Sequence, residues 1–358
     1  MTKHPVLLFL LLLTQISCIN KPVNNHSIPF ASISPIVVTD TVKWDTDDPA
    51  IWIHPSDPAQ SLIIGTDKNA DGALFIFNLE GKIVNVVKEL RVPNNVDIAY
   101  GFPFCGDTID IAVVTERLEQ RIRVFRVPYM IPLDNGDLIV FNGDTDRAPM
   151  GIALYKRPED KAFFVFVGGK SGPAEGYIGQ YRLGEDIKQG KLRITPVREF
   201  GKFSGNKEIE AIAVDAEAGY IYYSDETAGV RKYHADPDVP DANRELAFFA
   251  TEGFTRDHEG ISIYKLNEKE GYILVSDQQA NQFKIYTREG SPGNPHDHKL
   301  VKIIEVDAIE SDGSEVTNIP LPPAFPAELF VAMSNGKTFH YYSWEDIAGE
   351  DLRKKPIP

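Results

Sequence analysis

Apolar and polar residues alternate along this chain in short runs that end at Gly, Asn or Asp, and one arrangement of them recurs six times. In each copy a strand-length apolar run leads into a polar turn and then into a second run carrying an aromatic residue. The copies are "LIIGTDKNADGALFIFNL", "IDIAVVTERLEQRIRVFRV", "FFVFVGGKSGPAEGYIGQYRL", "YIYYSDETAGVRKYHAD", "YILVSDQQANQFKIYTREG" and "LFVAMSNGKTFHYYSW". Corresponding aromatics fall at Phe77, Phe125, Tyr181, Tyr233, Tyr286 and Tyr342, in steps of 48, 56, 52, 53 and 56 residues. That spacing suits a four-stranded antiparallel blade, and long amphipathic helical patterns are absent. The repeat predicts an all-β, six-bladed β-propeller. A pair of β-sandwiches would not explain one period running end to end.

A further strand precedes each copy: "DDPAIWIHP", "NNVDIAYGF", "PMGIALYKR", "EIEAIAVDA", "DHEGISIYK" and "VTNIPLPPAF". In an antiparallel hairpin the start of one strand lies beside the end of the next, so this pairing collects specific side chains at one end of the ring. Blade one brings Asp47 and Asp48 to Asp67 and Lys68, and blade two brings Asn94, Asn95 and Asp97 to Glu116 and Arg117. Blade three brings Met150 to Lys170, and blade four brings Glu208 and Glu210 to Asp225 and Glu226. Blade five brings Asp257 and Glu259 to Asp277 and Gln278, and blade six brings Glu315 and Asn318 to Asn335. The opposite hairpin ends, such as "HPSDPAQS" and "DAEAG", are solvated turns. A lone rim charge is most often a solvated surface residue, but the coincidence in five blades points to a ligand site held on a rigid scaffold.

The chain's first residues add an address. Lys3 precedes an unbroken apolar run from Val6 to Leu13, too short to span a bilayer, which predicts a signal peptide over residues 1–18. Cys18 behind Ser17 resembles a bacterial lipobox, although Gln15 stands where leucine is usual. Residues 19–30 read as a tether and residues 31–358 as a single propeller domain. The expected destination is the cell envelope, periplasmic or outer-membrane anchored, or the medium. Only Cys18 and Cys105 are present, so no intramolecular disulfide is expected once the first is lipidated or removed. A net charge of -15 argues against nucleic acid or an anionic membrane as direct partners. Membrane contact is expected only through the N-terminal lipid, and a monomer is expected.

The rim charges are sorted by sign. Lys68, Arg117 and Lys170 come from blades one to three, whereas Glu210, Asp225, Glu226, Asp257 and Glu259 come from blades four and five, and Asp47 and Asp48 close the circle. Hard oxygen ligands with amide support suit several Ca²⁺ ions. Arg and Lys suit phosphate oxygens. A phosphorylated ligand bridging both halves is the expectation. Other chemistries find less support: "VGGKSG" has Phe164 where a phosphate-binding P-loop needs glycine, and it lies between strands. His296 and His298 read as part of a Pro-rich surface loop, and His258 should point away from Asp257 and Glu259. No Ser, Cys or His nucleophile motif stands out. Metal-assisted hydrolysis remains, with calcium activating a water for in-line attack and Lys68, Arg117 and Lys170 holding the phosphoryl oxygens. Glu210 or Glu226 would ligate metal and orient the water.

At these residues the chain resembles the β-propeller phytases, the calcium-dependent alkaline phytases of bacteria. The motifs are "DDPAIWIHP", "GTDK", "NNVDIAYGF", "TER", "GGKSG", "EIEAIAVD", "SDE", "DHEGISIY", "SDQ" and "ESDGSEVT", in family order over roughly residues 40 to 345. The resemblance implies a 3-phytase-type phosphomonoesterase acting on myo-inositol hexakisphosphate as its calcium complex. It also implies two adjoining phosphate sites and no phosphoenzyme. It makes Lys68, Arg117 and Lys170 phosphate ligands, and Asp48, Glu210, Glu226, Asp257, Glu259 and Gln278 calcium ligands with Asp47 beside them. Asp312 would be a structural calcium ligand. Met150 stands where many members place a tyrosine, and Ser171 where an acid follows the lysine. Two other readings stay open: a calcium-dependent lactonase or esterase of propeller fold, and a non-catalytic lipoprotein that binds phosphate ligands.

Overall fold

Strands that are covered on both faces are apolar over most of their length, and the second strand of each blade is largely of this kind. Gly72–Phe77, Phe163–Gly169 and Gly271–Asp277 are buried at every residue, whereas the outer strands Ile83–Leu90 and Lys191–Lys202 alternate with exposed polar positions. The computed structural model describes residue 1 and residues 32–355. The expected leader beyond residue 1, Cys18 and the tether lie outside the described residues.

Six four-stranded antiparallel sheets form the blades of a β-propeller, as the repeat predicts, with strands in sequence order from the axis outward in five of them. The innermost strands are Thr46–Trp52, Pro93–Phe104, Pro149–Lys156, Ile212–Asp215, His258–Lys265 and Ser314–Val316. In the sixth blade this strand lies earlier than "VTNIPLPPAF" suggests. Pro320, Pro322 and Pro323 carry no N–H for a ladder, so that segment forms turns instead. The sixth blade also takes its outermost strand from the other end of the chain. Val37–Val38 pairs with Thr338–Ser343, Val37 opposite Tyr341 and Val38 opposite His340, which closes the ring through hydrogen bonds.

Each seam between neighbouring blades holds its own apolar cluster. The six repeat aromatics lie in these seams, all nearly fully buried. Three of the four tyrosines among them also accept a backbone N–H at the hydroxyl: Tyr181 from Phe141 at 2.7 Å, Tyr233 from Lys202 at 3.1 Å and Tyr342 from Ala308 at 2.9 Å. At the closing seam the Phe339 ring meets Phe77 edge to face at 5.8 Å and lies flush on Gly65, where a Cβ would come within 2.2 Å of it. Phe339→Ala should therefore cost about 3–5 kcal/mol of stability, read from urea denaturation. A loss below about 1 kcal/mol would show that the seam does not hold the ring shut.

Candidate active site

The second strand of most blades ends in a shared way, and that ending decides which side chains reach the rim. Its last residue pins the loop leading into the blade. Asp67 accepts the N–H groups of Trp44 and Asp45 at 2.9 and 2.7 Å, Glu116 that of Arg91 at 2.8 Å, and Asp225 that of Ser204 at 2.9 Å. Asp277 does the same for Thr255 at 3.0 Å and Ser334 for Ile309 at 3.1 Å. The next residue is Lys68, Arg117, Lys170, Glu226, Gln278 or Asn335. Its own N–H donates to a carbonyl of the incoming loop, at 2.7 to 3.3 Å. Successive side chains alternate across a strand, so the pinning residue turns away and its successor faces the site. Asp225, grouped from sequence with the rim acids, is thereby committed to Ser204 and to Arg231 at 2.8 Å.

The innermost strands contribute through irregularities. Pairing register shifts between Thr46 and Pro49, Pro93 and Val96, Pro149 and Ile152, and His258 and Ile261. Such bulges re-aim side chains; these carry Asp47, Asn94, Met150 and Glu259, and Glu210 takes the equivalent place in blade four. Glu210 approaches the axis only because its neighbour is glycine: a Cβ on Gly151 would sit 1.9 Å from the Glu210 carbonyl oxygen.

The result is a nearly buried acid cluster. Carboxylate oxygens of Glu208, Glu210 and Glu226 lie within 4.8 Å of one another, as do those of Glu226, Asp257 and Glu259. Lys68 pairs directly with Asp47 and reaches Asp312 at 3.7 Å and Glu210, from the opposite blade, at 3.9 Å. Asn94 donates to Asp47 at 2.8 Å and to Glu210, and accepts from Arg117 at 3.0 Å. Lys170 pairs with Glu208. Gln278 donates to Asp312, and Gln279 donates to Asp257 at 2.8 Å while accepting that residue's N–H at 2.9 Å. Lys207 lies 2.5 Å from Glu226, 3.1 Å from Asp257 and 3.6 Å from Glu259.

Burial is the main electrostatic force here. It raises Glu226 to about 8, with Glu210 and Glu208 adding to the rise against Lys207. Burial and then Glu226 and Glu210 push Glu259 well above the usual carboxylate range, and burial carries Asp312 to about 7. Glu210 goes the other way: burial would raise it, but Lys68 and Asn94 outweigh that and hold it low. Burial would likewise lower Lys68, yet Asp47, Glu210 and Asp312 hold its ammonium charged.

The structure thus brings Asp47, Lys68, Arg117, Lys170, Glu210, Glu226, Asp257, Glu259, Gln278 and Asp312 to one rim. Asp312 lies against Lys68 and Gln278 rather than apart. Asp48 is turned inward with Asp97 and Glu315 along an axial channel of about 420 Å³. Glu315 and Asn318, read from sequence as rim residues, belong to that channel. Burial followed by Glu315 and Asp97 pushes Asp48 well above its ordinary value. Met150 is buried beneath the rim, and the Ser171 hydroxyl is turned to the Asp146 carbonyl. His258 stacks on Phe254 at 3.8 Å and meets the Ala250 carbonyl at 2.6 Å, away from the acids. His298 is not a surface residue: it is buried, with Nε2 3.2 Å from Lys232 Nζ. Lys207 and Gln279 were missed in the sequence. Gln279 adjoins a predicted ligand, whereas Lys207 sits in a loop outside the repeat.

The donor set fits a hard cation. Glu226 Oε1, Asp257 Oδ1 and Glu259 Oε2 are buried without a hydrogen-bond partner, which is costly unless a cation completes them, while Glu226 Oε2 is met by Lys207 at 2.5 Å. A family model described as Phytase matches residues 5–354. The 3-phytase of Bacillus subtilis (strain 168) is 30% identical over 333 residues, covering 87% of this chain and 84% of the relative. Among solved structures, BBS1N in complex with ARL6DN aligns with a TM-score of 0.47 at 10% identity, over 82% of this chain and 77% of that one. The hydrazine synthase of Kuenenia stuttgartiensis aligns with a TM-score of 0.44 at 10% identity, over 82% of each chain, and neither likeness is close enough to bear on chemistry. A family match that runs through all six blades and the acid rim, together with a relative aligned over most of both chains, makes this chain a member of the phytase family.

Proposed function

We propose that the chain is a calcium-dependent phosphomonoesterase that removes phosphate from myo-inositol hexakisphosphate, taken as its calcium complex, to leave lower inositol phosphates. One juxtaposition carries this reading: Lys68 and Lys170 pair with Glu210 and Glu208, Arg117 reaches Asn94 beside them, and Glu208 and Glu210 adjoin Glu226, whose Oε1 is buried without a partner. The family and the 3-phytase relative support the same substrate class. An acidic chain of net charge -15 repels a free polyanion but accepts one whose charge is already partly neutralised.

Glu210, Glu226, Asp257 and Glu259 would hold calcium, with Glu208, Asp47, Asp48, Gln278 and Asp312 around them. When bound, it would supply neutralisation of phosphoryl oxygens and a lowered pKa for water. The chain's own groups do the rest. Among the described residues Arg117 gives away only Nη1, to Asn94, so the remainder of its planar fork is free for two phosphoryl oxygens. Lys170 is about half exposed and can exchange Glu208 for an incoming oxygen. Lys68 sits deepest and holds positive charge where negative charge develops as phosphorus is attacked. Water adds to phosphorus and the bond to the inositol oxygen breaks; a carboxylate takes the water's proton, and the leaving oxygen takes up a proton to depart as the inositol hydroxyl. Glu226, whose Oε1 is unpartnered, is positioned to orient that water.

The direct test is phosphate release from phytate by protein starting after Cys18, with calcium and with excess chelator. Release should require calcium, and Lys68→Met should lower kcat by about 10²–10³. A folded, calcium-loaded protein that releases no phosphate would overturn the assignment. The leader and a lipid on Cys18 belong to the same proposal: the full chain should incorporate labelled palmitate, and Cys18→Ala should abolish the label.

The raised carboxylates set a pH dependence. The stability that Glu226 contributes by binding a proton is fully present below its ordinary value of 4.5 and is lost as pH rises through about 8. Chelated protein should therefore melt progressively lower between about pH 5 and pH 9, and calcium should flatten the slope by replacing protons. A melting temperature indifferent to both pH and chelator would contradict the buried acid cluster.

A further inference from the structure

Lys207 touches the three carboxylates with the least access to any other cation. Glu226, Asp257 and Glu259 are at most 3% exposed at their side chains, while Lys207 is 36% exposed. Arg256 reaches only Asp257, at 3.7 Å, and lies mostly in solvent. Glu259 lies in the strand His258–Lys265, Glu226 and Asp257 each adjoin a strand end, and Gln279 holds Asp257. Lys207 instead occupies the irregular segment between Lys191–Lys202 and Ile212–Asp215, on a flexible stem with an open path to water. An ammonium and a divalent ion held by the same three carboxylates repel each other at close range, so one must yield. The mobile partner is the lysine.

We propose that Lys207 is an internal counter-cation. It competes with divalent metal for Glu226, Asp257 and Glu259, and metal loading releases its ammonium to an anion at the rim. This second half rests on the phosphate-binding reading given above. The two events are then linked: metal frees a cation for phosphate, and phosphate stabilises the freed cation, so each binds more tightly in the presence of the other. Lys207 is thus a positioning residue for metal loading that becomes an additional phosphate contact. Arg would preserve the competition, and Met would remove it while keeping the stem.

Calorimetric titration of calcium into chelator-stripped protein tests this, with and without myo-inositol hexasulfate as a non-hydrolysable polyanion. Lys207→Met should bind calcium about tenfold tighter without the anion, whereas Lys207→Arg stays near the parent chain. The metal-stripped Lys207→Met protein should also melt several degrees lower, because the acids lose their counter-charge. The gain in calcium affinity caused by hexasulfate should shrink in Lys207→Met. Unchanged or weaker calcium binding in that variant overturns the competition, and an undiminished hexasulfate effect overturns the release to an anion. If Lys207→Met does not fold, acetic anhydride labelling of the parent chain with peptide mapping takes its place. Labelling at Lys207 should rise when calcium replaces chelator, and an unchanged or reduced rate overturns the proposal. Neither readout depends on phosphate release, so failure of the phytase reading and failure of this inference are separable.

Discussion

Carboxylates crowded together out of water are the constraint on which this structure turns. Two like charges 4 Å apart near a protein surface repel by about 4 kcal/mol, and here at least five such groups share one rim. The protein answers in three ways. Lys68, Lys170 and Lys207 place ammonium groups among the acids. Burial raises Glu226, Glu259 and Asp312 so that protons can neutralise them. The unpartnered oxygens then suit a divalent cation, which does better than a proton because it satisfies several of them at once.

Holding such a cluster requires a frame that does not relax, and the ring supplies it. The blades are wedged by one apolar seam each, and the closing seam is sewn by Val37–Val38 from the far end of the chain. A single blade could not place Lys68 beside Glu210, because those residues stand on opposite sides of the axis. The same frame divides labour between adjacent residues. Asp225 ties down a loop while Glu226 faces the site, and the strand's alternation alone separates the two roles.

The site is also asymmetric within a symmetric scaffold. Blades one to three supply cations from the position that blades four and five fill with Glu226 and Gln278, so equivalent backbone carries opposite chemistry around the ring. Met150 departs from the scheme: its bulge aims at the rim, yet its side chain is buried and offers no hydrogen bond to a ligand.

Local pattern by itself determined the blades, their number and most of the rim. The second strands are apolar over most of their length, the aromatics recur at one spacing, and antiparallel pairing brings Asp47 near Lys68 and Glu210 near Glu226 whatever the surroundings. What the tertiary structure decided was everything that depends on direction or on distant segments. Adjacent acids such as Asp225 and Glu226 look alike as letters and differ only in the face they point to. The bulges that turn Asp48 into the channel with Asp97 and Glu315 are departures from the period, and so leave no periodic trace. Asp312 joins Lys68, and Lys207 joins the acids, through irregular loops. No repeat specifies where such loops lie, because their course is set by packing against blades far away in the chain.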